Sequence, residues 1–154
     1  MTERNMAYIR PARAEDADRL AEIEVFDYRL FFYPIFRTDR YFFSELTVPV
    51  LREEYANEPE RIEHTAVYDD GVVKGFVRVN GEEIEKLFVE AAFQKDGVGG
   101  ALIRYAVETL GGRRLLVLEK NPRAIRFYER HGFHLTDERQ RVDDTGEYLI
   151  RMEL

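Results

Sequence analysis

The chain has 154 residues, 45% of them hydrophobic and 34% charged, with a formal net charge of −7. That length suits one domain with a substantial core, and the acidity argues against a nucleic-acid backbone as the main partner. The absence of cysteine excludes disulfides, thiolate nucleophiles and cysteine-based metal sites. No run approaches the roughly 20 apolar residues of a membrane helix, and the opening MTERNMAYIR lacks the apolar core of a secretory signal, so a cytoplasmic location without a membrane partner is expected. The acidity also fits a cationic acceptor such as an amine, or serves solubility alone.

In chain order, residues 7–10 read as a short strand ended by Pro11. Apolar positions Ala17, Leu20, Ala21, Ile23 and Val25 predict a helix from Ala14 to about Leu30, with Glu15 and Asp16 favourable in its first turn. Residues 31–60 are rich in aromatics and broken by Pro34, Pro49 and Pro59, which predicts short helices and loops. Then the period changes. Thr65–Tyr68, Val72–Val79 and Glu83–Val89 are β-rich, and Asp70-Gly71 and Asn80-Gly81 between them suit hairpin turns, so the three runs predict an antiparallel meander.

Gly97 to Leu110 places Val98, Leu102, Tyr105, Ala106 and Leu110 on one helical face, stopped by Gly111 and Gly112. Leu115–Leu118 reads as a buried strand. Asn121-Pro122 opens a second helix as cap and first residue, closed by Gly132. Phe133–Val142 and Glu147–Leu154 predict a final strand pair. The whole of 1–154 is thus expected to form a single α+β domain.

The strand ending at Val89 leads through a turn into a helix that starts with glycines. The first N–H groups of a helix have no internal partner, and the dipole makes their end positive. Glycine lets a ligand approach that backbone closely, so the segment suits a phosphate or pyrophosphate, or is simply a tight turn. A nucleotide P-loop fails for want of Gly-Lys-Ser/Thr. A dinucleotide fingerprint fails because the motif follows an antiparallel meander rather than opening a β-α-β unit.

Gln94-Lys95-Asp96-Gly97-Val98-Gly99 resembles the Gln/Arg-x-x-Gly-x-Gly/Ala signature of the GNAT superfamily, the Gcn5-related N-acetyltransferases. Asn121, Ala124, Phe127, Tyr128, Gly132 and Phe133 match the spacing of that family's second segment, and Ile9 to Ala17 is similar to its usual opening. Ala91 stands where the family often has proline, and Asp96 where a basic residue is common. The resemblance implies a mixed, mostly antiparallel sheet with helices on both faces and strands that splay at the cofactor site.

It also implies acetyl-CoA as the acyl donor. Backbone N–H groups from Gln94 through Lys95, Asp96, Gly97, Val98 and Gly99 to Gly100 would hold the pyrophosphate. The Leu87-Phe88-Val89 backbone would pair with the pantetheine arm, with Val89 N–H as oxyanion donor. Tyr128 would protonate the departing thiolate as general acid, or pack as an aromatic. Asn121 would hydrogen-bond the pantetheine, or serve only as the helix cap. Glu83 lies 11 positions before Gln94, like the glutamate base of the histone acetyltransferase branch. Alternation places Glu83 and Glu85 on one strand face, where like charges raise a carboxyl pKa, though many relatives use ordered water instead.

The acceptor is expected to be a primary amine of a small molecule, amino acid derivative or peptide. Its pocket is expected among the aromatics from Phe26 to Phe43, which equally suit core packing or a homodimer contact. Arg29, Arg37 and Arg40 lie among them, to hold an acceptor carboxylate or stay solvated. His64, His131 and His134 have no metal-ligand spacing and read as surface or packing residues. A non-catalytic acyl-CoA sensor or interaction module is the alternative reading.

Overall fold

A computed structural model describes residues 6–154. In chain order they form β1 (Ile9–Pro11), α1 (Ala17–Asp27), α2 (Val48–Asn57), β2 (Thr65–Asp69), β3 (Val73–Asn80), β4 (Glu83–Val89), α3 (Val98–Glu108), β5 (Arg114–Leu118), α4 (Pro122–Arg130), β6 (His134–Arg141) and β7 (Tyr148–Glu153). The strands make one seven-stranded sheet in the order β1-β2-β3-β4-β5-β7-β6. Each neighbouring pair is antiparallel except β4 and β5, which run parallel. This is the mixed, mostly antiparallel α+β sheet expected from the sequence.

Strand alternation sends side chains to two cores. Ala66, Val77, Leu115 and Met152 pack on one face with Val98, Leu102 and Ala106 of α3. Val67, Phe76 and Phe88 pack on the other with Leu20 and Ile23 of α1 and Leu51 and Tyr55 of α2. Helices therefore cover both faces. A polar network runs through the second core: Arg78 donates to Thr65 Oγ1 at 2.9 Å and to Tyr55, whose hydroxyl donates to Glu24 at 3.2 Å. Lys86 donates to Tyr28 at 2.6 Å and lies 3.6 Å from Glu24. Burial alone would lower the Lys86 pKa, but Tyr28 and Glu24 hold it above its ordinary value.

The predicted first helix is interrupted at its end. α1 widens into a π turn at Tyr28–Phe32, followed by a short helical turn at Tyr33–Phe36. Pro34 has no N–H to offer Leu30, and the wide turn instead closes through Tyr33 N–H to Tyr28 O. The start is fixed by Asp16, which accepts from Arg13 N at 2.8 Å and from Arg10 at 2.8 and 3.0 Å. The aromatic segment divides accordingly. Phe42 is buried, Tyr28, Phe32, Tyr33 and Phe36 pack against the second core, and Tyr41 and Phe43 are exposed.

β3 approaches β4 and α3 too closely for a side chain at Gly75. A Cβ there would lie 2.7 Å from the Phe88 carbonyl oxygen and 3.1 Å from Leu102. The first contact is backbone and cannot rotate away. Gly75→Ala is expected to cost about 2 kcal/mol, read as a lowered urea midpoint; an unchanged midpoint would show that the strands separate freely.

Candidate active site

β4 and β5 are paired only at Glu83–Arg114 and Ile84–Leu115, and beyond these residues they part. The cause lies partly in β4. Its register with β3 runs Arg78–Lys86 and then Val79–Ile84, so Glu85 is an extra residue in a bulge. The bulge reverses the facing of the strand, sending Ile84 to the α3 core while Lys86 and Phe88 face α1. The expectation of strict alternation through Glu83 and Glu85 is therefore corrected: Glu85 is itself the bulged residue, and both residues line the groove that opens where the strands part.

The gap opens a groove of about 980 Å³, lined from β4 by Glu83 to Val89, from β5 by Leu115 to Leu118, and by residues of α1, α3 and α4. Glu90 N–H donates to Lys74 O on β3 at 2.9 Å. Antiparallel alternation then turns the N–H groups of Phe88 and Lys86 toward β3, and those of Val89 and Leu87 toward the gap. An extended ligand lying there meets an unpaired strand edge.

At the groove mouth stands the start of α3. Gly97 is its N-cap, with φ +85, and Lys95 before it also takes positive φ, +75. Ala101 N–H returns to Gly97 O, while the N–H groups of Lys95 to Gly100 donate to no other described residue. Gly97, Gly99, Gly100 and Lys95 line the groove. Consecutive free amides at a positive helix end form an anion cradle. Gln94 is corrected here: its N–H is taken by Ala91 O at 3.3 Å, so the free amides begin at Lys95. The Gln94 side chain instead spans two elements, donating to Val89 O at 2.9 Å and accepting from Arg123 at 2.5 Å. Asp96 is exposed and stands outside the groove wall, and Val98 is buried in the core. Neither side chain enters the cradle, so the acid at 96 does not obstruct it.

Comparison with known proteins agrees with this geometry. The family model described as an acetyltransferase (GNAT) domain matches residues 61–135. Over that segment the chain is similar to GNAT acetyltransferases. It is 34% identical over 88 residues to the peptidyl-lysine N-acetyltransferase YjaB of Salmonella typhimurium, a match covering 57% of this chain and 60% of that protein. The chain thus spans about three fifths of the length of such relatives. An N-acetyltransferase from Staphylococcus aureus shares the fold at a TM-score of 0.73 and 14% identity, covering 95% of this chain and 99% of that one. The PaiA N-acetyltransferase of Thermoplasma acidophilum, solved in complex with coenzyme A, superposes at 0.67 with 18% identity, covering 95% and 98%.

Across the groove, α4 forms the far wall. Asn121 caps it, its side chain accepting from Ala124 N–H at 3.2 Å, with Pro122 in the first turn. Asn121 also lines the groove, while its side-chain oxygen serves the helix. Tyr128 lines the same groove, and burial pushes its pKa up to about 12. Its hydroxyl has no hydrogen-bond partner among the described residues.

Glu83 stands where β4 and β5 are still paired. Its Oε1 lies 2.6 Å from Arg151 on β7 and 3.3 Å from Arg114 on β5. That carboxylate oxygen is thus engaged by two guanidinium groups at the paired end of the strands. These contacts tie β4 to β5 and β7 just before the strands part.

The structure also brings Asp27 and Arg123, which the sequence did not single out, to the groove. Asp27, at the end of α1, lines it, is 2% exposed, and has an Oδ1 without a partner. Arg123 of α4 reaches across to stack on Phe31 at 5.1 Å. His131 Nδ1–H donates to Phe127 O at 2.8 Å, and its Nε2 lies beside Gly100 at the cradle. Arg29 donates to Phe42 O and Leu46 O and holds the segment's own backbone. No helix of the described residues is long and apolar enough to cross a membrane.

Proposed function

We propose that this chain is an acetyl-CoA-dependent N-acetyltransferase acting on a primary amine, working in the cytoplasm as one catalytic unit over residues 1–154. One observation carries the reading: free amides at the start of α3 stand at the mouth of a groove that passes between the parted β4 and β5 to Tyr128. A diphosphate suits the amides, an amide-containing arm suits the open edge of β4, and a thioester then lies at the far wall. The coenzyme in the Thermoplasma structure and the acceptor in the name of the Salmonella relative support coenzyme A and a peptide amine respectively.

When bound, acetyl-CoA supplies an activated acyl group and a thiolate leaving group. The chain does the rest. Lys95 to Gly100 amides hold the anion without a required cationic side chain, which fits the acidic protein. Leu87 and Val89 bond the arm like an added strand, and Val89 N–H, directed into the gap, stabilises negative charge on the thioester oxygen. Tyr128 keeps its proton at every working pH, because its pKa is pushed up to about 12, and donates it toward the departing sulfur.

The test is thiol release from acetyl-CoA across a panel of small amines, amino acid derivatives and lysine peptides, beside calorimetric binding of coenzyme A. Coenzyme binding with amine-dependent thiol release is expected. Binding without turnover toward any amine would make the protein a sensor, and failure to bind would remove the reading.

A further inference from the structure

Asp27 is an expensive residue. A carboxylate taken out of water requires partners, and buried polar groups in native folds nearly always have them. Asp27 is 2% exposed, yet its Oδ1 meets no donor. The nearby cations are committed elsewhere. Arg19 of α1 holds Glu90 at 2.7 Å, Glu22 at 2.5 Å and Val73 O at 3.0 Å. Arg123 of α4 is held by Gln94 and Phe31. Lys86 of β4 is held by Tyr28 and Glu24. The remaining charge that acts on Asp27 is Glu90, just after β4, and it repels.

Its position is informative. α1 runs antiparallel to β4, since Arg19 meets Glu90 while Tyr28 and Glu24 meet Lys86. Asp27, between Glu24 and Tyr28 in sequence, therefore sits near the level of Lys86 and lines the same groove as Tyr128. Tyr28, Phe31 and Phe32 line the groove next to it, offering aromatic faces to an alkyl chain and an ammonium group.

Resting on the acetyl-transfer reading above, we propose that Asp27 is the catalytic base: its carboxylate receives a primary alkylammonium acceptor between the Tyr28–Phe32 turn and the parted strands and takes one proton from it. The freed nitrogen lone pair attacks the thioester carbonyl carbon. The C–N bond forms, the C–S bond breaks, and the sulfur leaves with its electron pair and takes the Tyr128 proton. The second nitrogen proton restores Tyr128 through water, and the Asp27 proton goes to solvent. Ammonium and thioester give amide, thiol and one proton. Burial pushes the Asp27 pKa up, with Glu90 adding to it and Arg19 and Arg123 opposing, to about 7, which matches a base at neutral pH.

The decisive variant is Asp27→Asn, which keeps the shape and removes the proton acceptor. Expected is a loss of about 100-fold in kcat/KM for amines between pH 6 and 8, recovering toward pH 10, where the free amine is itself populated. The wild-type rate should rise through pH 7, and Asp27→Glu should restore part of it. Coenzyme A binding should stay within about twofold of wild type, since the carboxylate meets the acceptor. Stability gives a readout independent of turnover. The folded pKa lies above the unfolded one, so the wild type loses stability relative to Asp27→Asn as pH rises through 7. The variant should then melt higher at pH 8, with the gap closing toward pH 4. Asp27→Asn turnover at the wild-type level with the same pH profile overturns the base while leaving acetyl transfer standing. A wild type that neither binds coenzyme A nor releases thiol overturns both.

Discussion

Tyr128→Phe is expected to lower kcat by about 100- to 1000-fold while the coenzyme A dissociation constant stays within about twofold. The phenol adds nothing that the described residues need for folding, because its hydroxyl makes no hydrogen bond to any of them. The ring does the packing, edge-on to Phe127 at 5.2 Å and to Phe133 at 6.0 Å, and phenylalanine keeps both contacts. Melting temperature should therefore be nearly unchanged, and the loss belongs to the reaction. Burial in the groove pushes the pKa of this phenol up to about 12, so the hydroxyl remains a donor across the neutral range. The sign follows: the acid form is the working one, and titration of Tyr128 would remove activity only near pH 12. A wild-type profile falling below pH 9 would have another origin. The same desolvation acts on the departing thiolate, raising its proton affinity toward that of the phenol. Stopped-flow thiol release separates binding from chemistry; equal rates for variant and wild type would mean that the sulfur leaves without help from this residue.

The parts of this molecule that were legible in the sequence are those written in short-range pattern. Glu83–Val89 shows its bounds because the alternation and the Asn80-Gly81 turn are local, and Gly81 takes the expected positive φ. The cradle was legible because an N-terminal helix amide is free whatever surrounds it, provided that nothing covers it. The groove residues that escaped the sequence are set by distant partners. Nothing near Glu83 shows that Arg151, 68 positions later, will claim its oxygen. Nothing near Lys86 announces the Glu85 bulge, which depends on how β3 meets β4. Asp27 reads as an ordinary helix acid until Pro34 and the wide turn before it fold Phe31 and Phe32 over the groove. Its missing partner is a fact of tertiary packing and has no local pattern.

Gly100→Glu is expected to weaken coenzyme A binding by at least about 100-fold, near 3 kcal/mol, without loss of stability. The choice among the cradle glycines is physical. Gly97 takes φ +85, so any side chain there strains the backbone and confuses folding with binding. A Cβ at Gly99 would lie 3.3 Å from the Phe127 ring, which is fixed in the wall. A Cβ at Gly100 meets only the His131 Nε2 within 4 Å, at 3.4 Å, and the backbone there is helical. Glutamate also has a better helix propensity than glycine, and a carboxylate in the first turn of a helix is favoured by the dipole, each by up to about 1 kcal/mol. The variant should thus melt at or above the wild-type temperature. Its carboxylate would occupy the free amides and repel the diphosphate, through the same dipole that stabilises it. Calorimetry with coenzyme A and with pantetheine, which lacks the diphosphate, isolates the effect: the first should lose affinity and the second should not. Equal affinity of Gly100→Glu and wild type for coenzyme A would show that the anion is held somewhere other than the start of α3.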